Sequence, residues 1–413
     1  MILILFTASY PFDAATEQTF LNDEIEQLAA SFERVVLVPR RCKGSKLPIP
    51  HNVEVVEGYF EHLEAANKIL AVTQVLASPL FYHDLSKHPW LLFHLPSLVR
   101  LIAFLGGAYL TKQWVGRWLH KNGVQAQECI FYTYWFDQAA MGIGLVKRLQ
   151  PDLKLVSRAH GYDLYAETFH PPYWPCRAAA LELVDRIFAD SDAGAGYLKK
   201  RYPVFSPKVE TARLGVKDPG FVSSASSDGI FRVVSCSMLR PVKRVDLLME
   251  GIAQAARMRS EQKFEWHHHG NGDTRLELQQ QADAEFPANA CAVFHVYSTN
   301  QALLDFYREN PIDVFMNVSV SEGTPVSIME AISCGVPVIA TAVGGNQEIV
   351  LEKNGLLLSP NPSPQEIANV ILEFIDHRQE IQSKRKESRD LWKEKYNAHQ
   401  NFRLFVHRLQ SLR

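Results

Sequence analysis

The stretch SEGTPVSIMEAISCGVPVIA, residues 321–340, sets two glutamates, Glu322 and Glu330, around an expected helix start. Thr324 followed by Pro325 supplies a hydroxyl at the N-cap and a proline in the first helical position. Gly335 stands where a C′ glycine belongs and Pro337 prevents continuation, so the helix is expected over about Pro325–Cys334. Its first free amides, on Val326 and Ser327, carry the positive end of the helix dipole and make an anion-binding position. Glu322 lies beside that position, and Glu330 lies two turns along the helix. A carboxylate next to a bound phosphate is electrostatically unfavourable, so binding of hydroxyl groups suits both glutamates better. The alternative is two solvated carboxylates flanking a structural helix.

Elements must hold these groups, and the chain reads as short apolar runs alternating with helix-length segments. Strands are expected at 2–8, 34–39, 128–134, 153–159 and 186–191, then at 231–237, 263–270, 292–296, 313–319, 337–341 and 355–360. This alternation indicates βαβ units and parallel sheets, hence an α/β fold with two doubly wound, Rossmann-like domains. The Ser, Gly, Pro and Asp content of 218–229 marks a linker. The expected organisation is therefore a domain over 1–217, a second over 230–380, and a helical tail over 381–413 that packs back on the first. Ligands of open parallel sheets bind beyond the C-terminal strand ends. Two such sheets facing each other would place an active site in the cleft between them.

Composition narrows the function classes. The 413 residues are 47% hydrophobic and 21% charged, with net charge −2, which supplies no excess of positive charge for general nucleic-acid binding. The six cysteines are scattered without a CxxC pair, which argues against a disulfide framework or structural zinc and favours a reducing cytoplasm. The N-terminal MILILFTASYPF reads as a first strand rather than a signal peptide. His94, Pro96 and Arg100 interrupt the apolar run 91–110, and a central arginine costs about 3 kcal/mol on insertion scales. The favoured reading there is a buried or half-buried helix. A membrane-surface helix over 91–121, with Lys112, Arg117, His120 and Lys121 beside lipid, is the functional alternative.

Glu322 and Glu330 form an E-x7-E pattern, followed by ISCGVPVIATAVGGNQEIV and by NGLLL at 354–358. In this order and spacing the run resembles the donor half of glycosyltransferase family 4, the retaining, nucleotide-sugar-dependent enzymes of GT-B architecture. The resemblance implies that Glu322 contacts donor-sugar hydroxyls and Glu330 the ribose. The amides of Gly323, Thr324, Pro325, Val326 and Ser327 would form the diphosphate site (proline itself offering no N–H). In SCSMLRPVKRVDLL, Lys243 matches the family lysine that would neutralise the leaving diphosphate. Met238 stands where the family carries arginine, with Arg240 two residues later as the candidate to replace it; Arg244 replaces a usual glycine and is expected to pair with a surface carboxylate. His160, in SRAHGYDLY, resembles the family histidine that approaches the donor sugar, against the bland reading of a satisfied structural histidine. Asp163 and Arg158 are further acceptor-site candidates, Asp163 also for orienting His160. Glu17, in EQTFLNDEI, resembles an acceptor-loop residue of polysaccharide-assembling relatives, or else caps the following helix. Ala14 and Ala15 replace loop glycines of the family. The turn at 293–300, with Val296, is expected to meet the base.

Two patterns are set aside. DSD at 190–192 matches the metal-binding DxD of the other large glycosyltransferase class, but Ser191 is better placed to cap a helix. The HHH run at 267–269 lies on an expected strand, where neighbours point to opposite faces. The expected activity is transfer of a sugar from a nucleoside diphosphate sugar, the co-substrate, to a hydroxyl of a lipid-linked or growing cell-surface glycan in polysaccharide or lipopolysaccharide synthesis. No metal and no further cofactor are expected, nor a nucleic-acid partner; the location is the cytoplasm, with peripheral contact at the inner membrane face. The alternatives are a GT-B phosphorylase, a sucrose- or trehalose-type synthase, or a non-catalytic nucleotide-sugar-binding protein.

Overall fold

A computed structural model describes residues 1–12, 17–296 and 300–412. All eleven expected strands form, with ends that differ from the expected bounds by no more than two residues. In the first part of the chain these are β1 (Ile2–Thr7), β2 (Arg34–Pro39), β4 (Cys129–Thr133), β5 (Lys154–Ala159) and β6 (Arg186–Ala189). Two three-residue strands, β3 (Val53–Val55) and β7 (Val209–Thr211), complete a parallel sheet of order β3-β2-β1-β4-β5-β6-β7. Its strands are apolar on both faces because helices cover both. Leu3 and Leu5 enter one core cluster and Ile4 and Phe6 the other, the period-two alternation of a strand buried on each side.

The second sheet comprises β8 (Ile230–Cys236), β9 (Lys263–His269), β10 (Ala290–His295), β11 (Val314–Asn317), β12 (Val338–Thr341) and β13 (Gly355–Leu358). It is also parallel, in the order β10-β9-β8-β11-β12-β13. The Val245–Met258 and Pro364–Asp376 helices pack on its face, Ile252, Ile367 and Ile371 joining Phe231 and Val233 in one core.

The fold is thus two Rossmann-like α/β domains followed by C-terminal helices. By contacts the chain divides into Met1–Arg213 with Phe402–Arg413, and Leu214–Asn401. Phe405, Val406 and Leu409 of the last helix, Ala398–Gln410, are buried in the core that also holds Leu3 and Leu5.

The apolar stretch at 91–110 divides. Pro89–Phe93 is a 3-10 turn, and a 28-residue helix then runs Leu95–Asn122. This helix buries Leu101, Phe104, Leu105 and Val115, while Leu92, Phe93, Leu95 and Val99 at its entry are exposed. Among the described residues no helix is long and apolar enough to cross a membrane.

Candidate functional site

Each sheet reverses its strand order at one place, between β8 and β11 in the second unit and between β1 and β4 in the first. At such a switch point adjacent connections leave in opposite directions and open a crevice at the C-terminal strand ends.

In the second unit the loops after β8 and β11 meet at that crevice. Val320 N donates to Val242 O at 2.8 Å, sewing the loops together. Arg244 reinforces the seam, its guanidinium donating to the carbonyls of Val318, Ser319 and Pro360 and to Asn361 Oδ1. Among the described residues it makes no ion-pair contact with a carboxylate, a correction to the sequence reading: carbonyls ending a strand need donors, and Arg244 supplies them. Its φ of 49° lies in the left-handed region, which accounts for the glycine that usually stands there.

The seam holds Lys243 Nζ 2.7 Å from Glu322 Oε1, which also accepts from Asn317 Nδ2 at 2.9 Å. Glu322 is nearly buried and Lys243 about a quarter exposed. Asn317 was missed by sequence reasoning; the only signal was a polar residue closing an apolar strand.

The helix beyond Glu322 runs Val326–Ser333, one residue shorter at each end than expected. Pro325 has ψ 113° and is itself the N-cap, so Thr324 lies before the cap rather than at it. The first intrahelical bond runs from Met329 N to Pro325 O, leaving the amides of Val326, Ser327 and Ile328 ahead of it. At the other end Gly335, φ 70°, closes a Schellman motif, with Val336 N bonded to Ala331 O and Gly335 N to Ile332 O. Gly323 O accepts from Gly345 N at 3.0 Å. A Cβ on Gly344 or Gly345 would collide with the backbone of Glu322 and Gly323, so the glycine pair is what lets this loop lie where it does.

Glu330 is buried, and its Oε1 accepts from Asn300 Nδ2 at 2.8 Å. Val296 is exposed after β10; residues 297–299 of the same turn lie outside the described residues, as do Ala14 and Ala15. Arg240 is exposed at the N-cap of the Pro241–Lys243 turn, without an ion pair among the described residues, and Met238 beside it is also exposed.

The histidine run divides as a strand requires. His268 faces Ser235 Oγ and the Ser237 carbonyl, whereas His267 and His269 stack on His295 at 5.3 Å and 4.4 Å. Burial lowers the pKa of all four imidazoles, His268 to about 4 and His269 to about 3; neighbouring imidazoles add to the effect for His267, His268 and His269, and Arg275 for His295. Among the described residues no group of three or more His, Cys, Asp or Glu side chains is arranged to hold a metal ion.

In the first unit His160 follows β5 and is almost fully buried. Its ring lies 4.7 Å from that of Tyr134 and 5.0 Å from Trp135, both in the loop after β4. Nδ1 faces Asp190 Oδ2 at 3.4 Å, while Nε2 is buried without a hydrogen-bond partner among the described residues. A carboxylate on Nδ1 favours the tautomer that leaves Nε2 as an acceptor. Asp190 belongs to the DSD run that sequence reasoning set aside; Ser191 does cap the following helix, through Gly194 N at 3.2 Å.

The three acceptor-site candidates Arg158, Asp163 and Glu17 are buried and engaged with partners inside the first unit. Arg158 is wholly enclosed, pairing with Glu24 at 3.1 Å, donating to Tyr132 Oη and the Ala212 carbonyl, and lying over the Phe405 ring. Asp163 accepts from the backbone amides of His160 and Phe136, so it braces the chain and does not orient the imidazole. Burial pushes its carboxyl up to about 6 against those amides and the charges of His160 and Arg177. Glu17 is fully buried and stands at the N-cap position of the Gln18–Ser31 helix without a side-chain bond to its amides; its oxygens accept instead from the amides of Ala8, Ser9 and Tyr10 and from the Trp135 indole.

Residues 221–409 match the model of the family glycosyl transferases group 1. The chain is 27% identical over 205 residues to the UDP-N-acetylglucosamine–peptide N-acetylglucosaminyltransferase GtfA subunit of Streptococcus parasanguinis, a match covering 49% of this chain and 38% of that protein. The chain thus spans well under half of that relative. Among solved structures, the apo form of the lipopolysaccharide outer core galactosyltransferase WaaB gives a TM-score of 0.67 at 12% identity, covering 100% of this chain and 99% of that one. Anabaena HepE in complex with UDP-glucose gives 0.62 at 16% identity, again covering 100% and 99%. At these identities the structures establish the fold, which is that of GT-B proteins, while the family match is confined to residues 221–409, in the second half of the chain.

Proposed function

We propose that this protein transfers a sugar from a nucleoside diphosphate donor to a hydroxyl of a glycan acceptor, with retention at the anomeric carbon. The observation that carries the reading is the Lys243–Glu322–Asn317 cluster at a switch point, beside the free amides of the Val326–Ser333 helix. Positive charge and a carboxylate held side by side suit a ligand with a diphosphate on one side and hydroxyls on the other.

In this reading Lys243 leaves Glu322 for the diphosphate when donor arrives, with Arg240 as a second cation. Glu322 stays anchored by Asn317 and turns to the sugar hydroxyls. The amides that follow Gly323 hold the phosphates, Glu330 takes the ribose, and backbone near Val296 meets the base. Charge that develops on the leaving diphosphate is met by Lys243 and the helix amides, already in place before reaction. A phosphate oxygen accepts the proton of the attacking hydroxyl on the same face, which yields retention. His160, with Nε2 as acceptor, hydrogen-bonds a sugar hydroxyl. The acceptor is a lipid-linked or growing cell-surface glycan, a reading supported by the fold shared with a lipopolysaccharide galactosyltransferase. Exposed Ile69, Leu70, Leu92, Phe93 and Leu95 support peripheral contact with the inner face of a membrane.

The test starts from uridine diphosphate, because HepE, similar in fold, binds UDP-glucose. The full chain should be stabilised by UDP in a thermal-shift titration, and UDP-sugar turnover should follow. Glu322→Gln and Lys243→Ala should each reduce turnover by about 100-fold or more while the protein stays folded. Turnover at the wild-type rate in either variant rejects the site.

A further inference from the structure

A cavity of about 520 Å³ opens within the first unit, lined by residues from the C-terminal ends of its strands, among them Ala8, Arg41, Trp135 and Tyr162. Trp135 joins it to His160, whose ring it meets at 5.0 Å. The cavity has an excess of cations. Arg40, Arg41 and Arg100 line it, against the two carboxylates of Asp137 and Asp163.

Both carboxylates are already engaged. Asp137 accepts from Arg40 at 2.7 Å and from Ala139 N at 2.8 Å. Asp163 spends its oxygens on the amides of His160 and Phe136. Arg41 is exposed and has no ion pair among the described residues. The Arg100 guanidinium lies 3.7 Å from the centroid of the Phe169 ring, and its Nη1 is buried without a hydrogen-bond partner among the described residues. A guanidinium cannot shed its charge, and a buried N–H without an acceptor costs stability unless a ligand completes it.

The wall beside Arg100 is aromatic. Phe169 and Trp174 lie 5.5 Å apart, and Tyr162 meets them at 6.1 Å and 6.2 Å. Tyr162 is 65% exposed, a large ring left open at the edge of the cavity. Flat aromatic faces suit the C–H face of a sugar ring, and guanidinium groups suit a planar or tetrahedral oxyanion in two-point fashion.

We infer that this cavity binds an anionic glycan, with Arg41 and Arg100 on a carboxylate or phosphate group and Tyr162 and Trp174 against the sugar ring. That this glycan is the acceptor rests on the transferase reading; that the cavity selects an anion does not. The anion has two chemical sources, a uronic acid or a sugar phosphate.

The experiment is a ligand-observed NMR titration of the full chain with two matched pairs: methyl β-glucuronide against methyl β-glucoside, and glucose 1-phosphate against glucose. The charged member of at least one pair should bind about tenfold tighter than its neutral partner, with the advantage shrinking as salt is raised. The pair that shows the preference identifies the source. Arg41→Gln, at an exposed side chain, should cut the advantage about threefold, and the double variant with Arg100→Gln should abolish it. Equal binding within both pairs, absence of binding by all four probes, or a preference that survives in the double variant overturns the inference. UDP stabilisation is measured on the same samples. If UDP binds and the preference is missing, only this inference falls; if the preference is present and neither UDP nor any other nucleoside diphosphate has an effect, the cavity assignment stands and the transferase reading falls.

Discussion

Glu17 offers the sharpest test of how the first unit is built. Its carboxylate takes four N–H donors on two oxygens: Oε1 from Ala8 N at 2.7 Å and the Trp135 indole, Oε2 from Ser9 N at 2.8 Å and Tyr10 N at 3.1 Å. Glu17→Gln keeps the shape but converts one oxygen to an NH2 group that accepts nothing. Two of the four donors then lose their partner, and two new donors are buried facing them. At about 1–3 kcal/mol per unsatisfied buried group the two donors that lose their partner cost up to about 6 kcal/mol, before any cost of the new NH2 group. Ala8 and Ser9 are only partly buried, so the loop can admit water, which brings the expected loss to about 2–4 kcal/mol. For a domain of this size that is a fall in Tm on the order of 10 °C. Scanning calorimetry of the full chain measures it, with UDP affinity as a control on the second unit that should not change. If Glu17 were instead an acceptor ligand, Gln would preserve the fold and raise KM for acceptor alone. A transition within about 2 °C of wild type would refute the buried-network reasoning.

Two further outcomes are expected. His267, His268, His269 and His295 all hold pKa values lowered by burial, so below about pH 6.5 the unfolded chain takes up protons that the folded one refuses. The stability they contribute is present above that pH and is lost as pH falls toward about 4, where His268 titrates in the fold. The second unit's Tm should therefore drop across this window, and His295→Phe, which keeps a ring on His269, should flatten the slope; an unchanged slope in that variant rejects the assignment. Gly345→Ala forces a Cβ against the Gly323 carbonyl and should cost about 1–3 kcal/mol while displacing the 321–324 loop. UDP titration of that variant at wild-type affinity would show that the loop's position does not matter for donor binding.

The fold was largely legible because its signals are local. Each long strand announces itself by an apolar run, and each turn by its Gly, Pro or Ser. β3 and β7 escaped because three residues at a sheet edge carry too little pattern to stand out from loop. The Val326–Ser333 helix was legible from its proline and its C′ glycine, and each end was misplaced by one residue, since Pro325 keeps an extended ψ and caps the helix itself while Cys334 is the C-cap.

By itself the sequence determined the two α/β domains, the loop–helix junction at 321–335, and Lys243 and Glu322 as residues to watch. It could not determine what each charged side chain is spent on. Glu17, Asp163 and Arg158 look as available in sequence as Glu322 does, yet the structure buries all three against partners inside the first unit. Asn317, five residues from Glu322, and Asp190, thirty from His160, acquire meaning only once neighbouring strands end side by side. The physical reason is range. Periodicity and capping act over a few residues along the chain, whereas a buried charge must be matched by whichever donors and acceptors the packed strands bring to it. For Glu17 and Trp135 those groups are 118 positions apart.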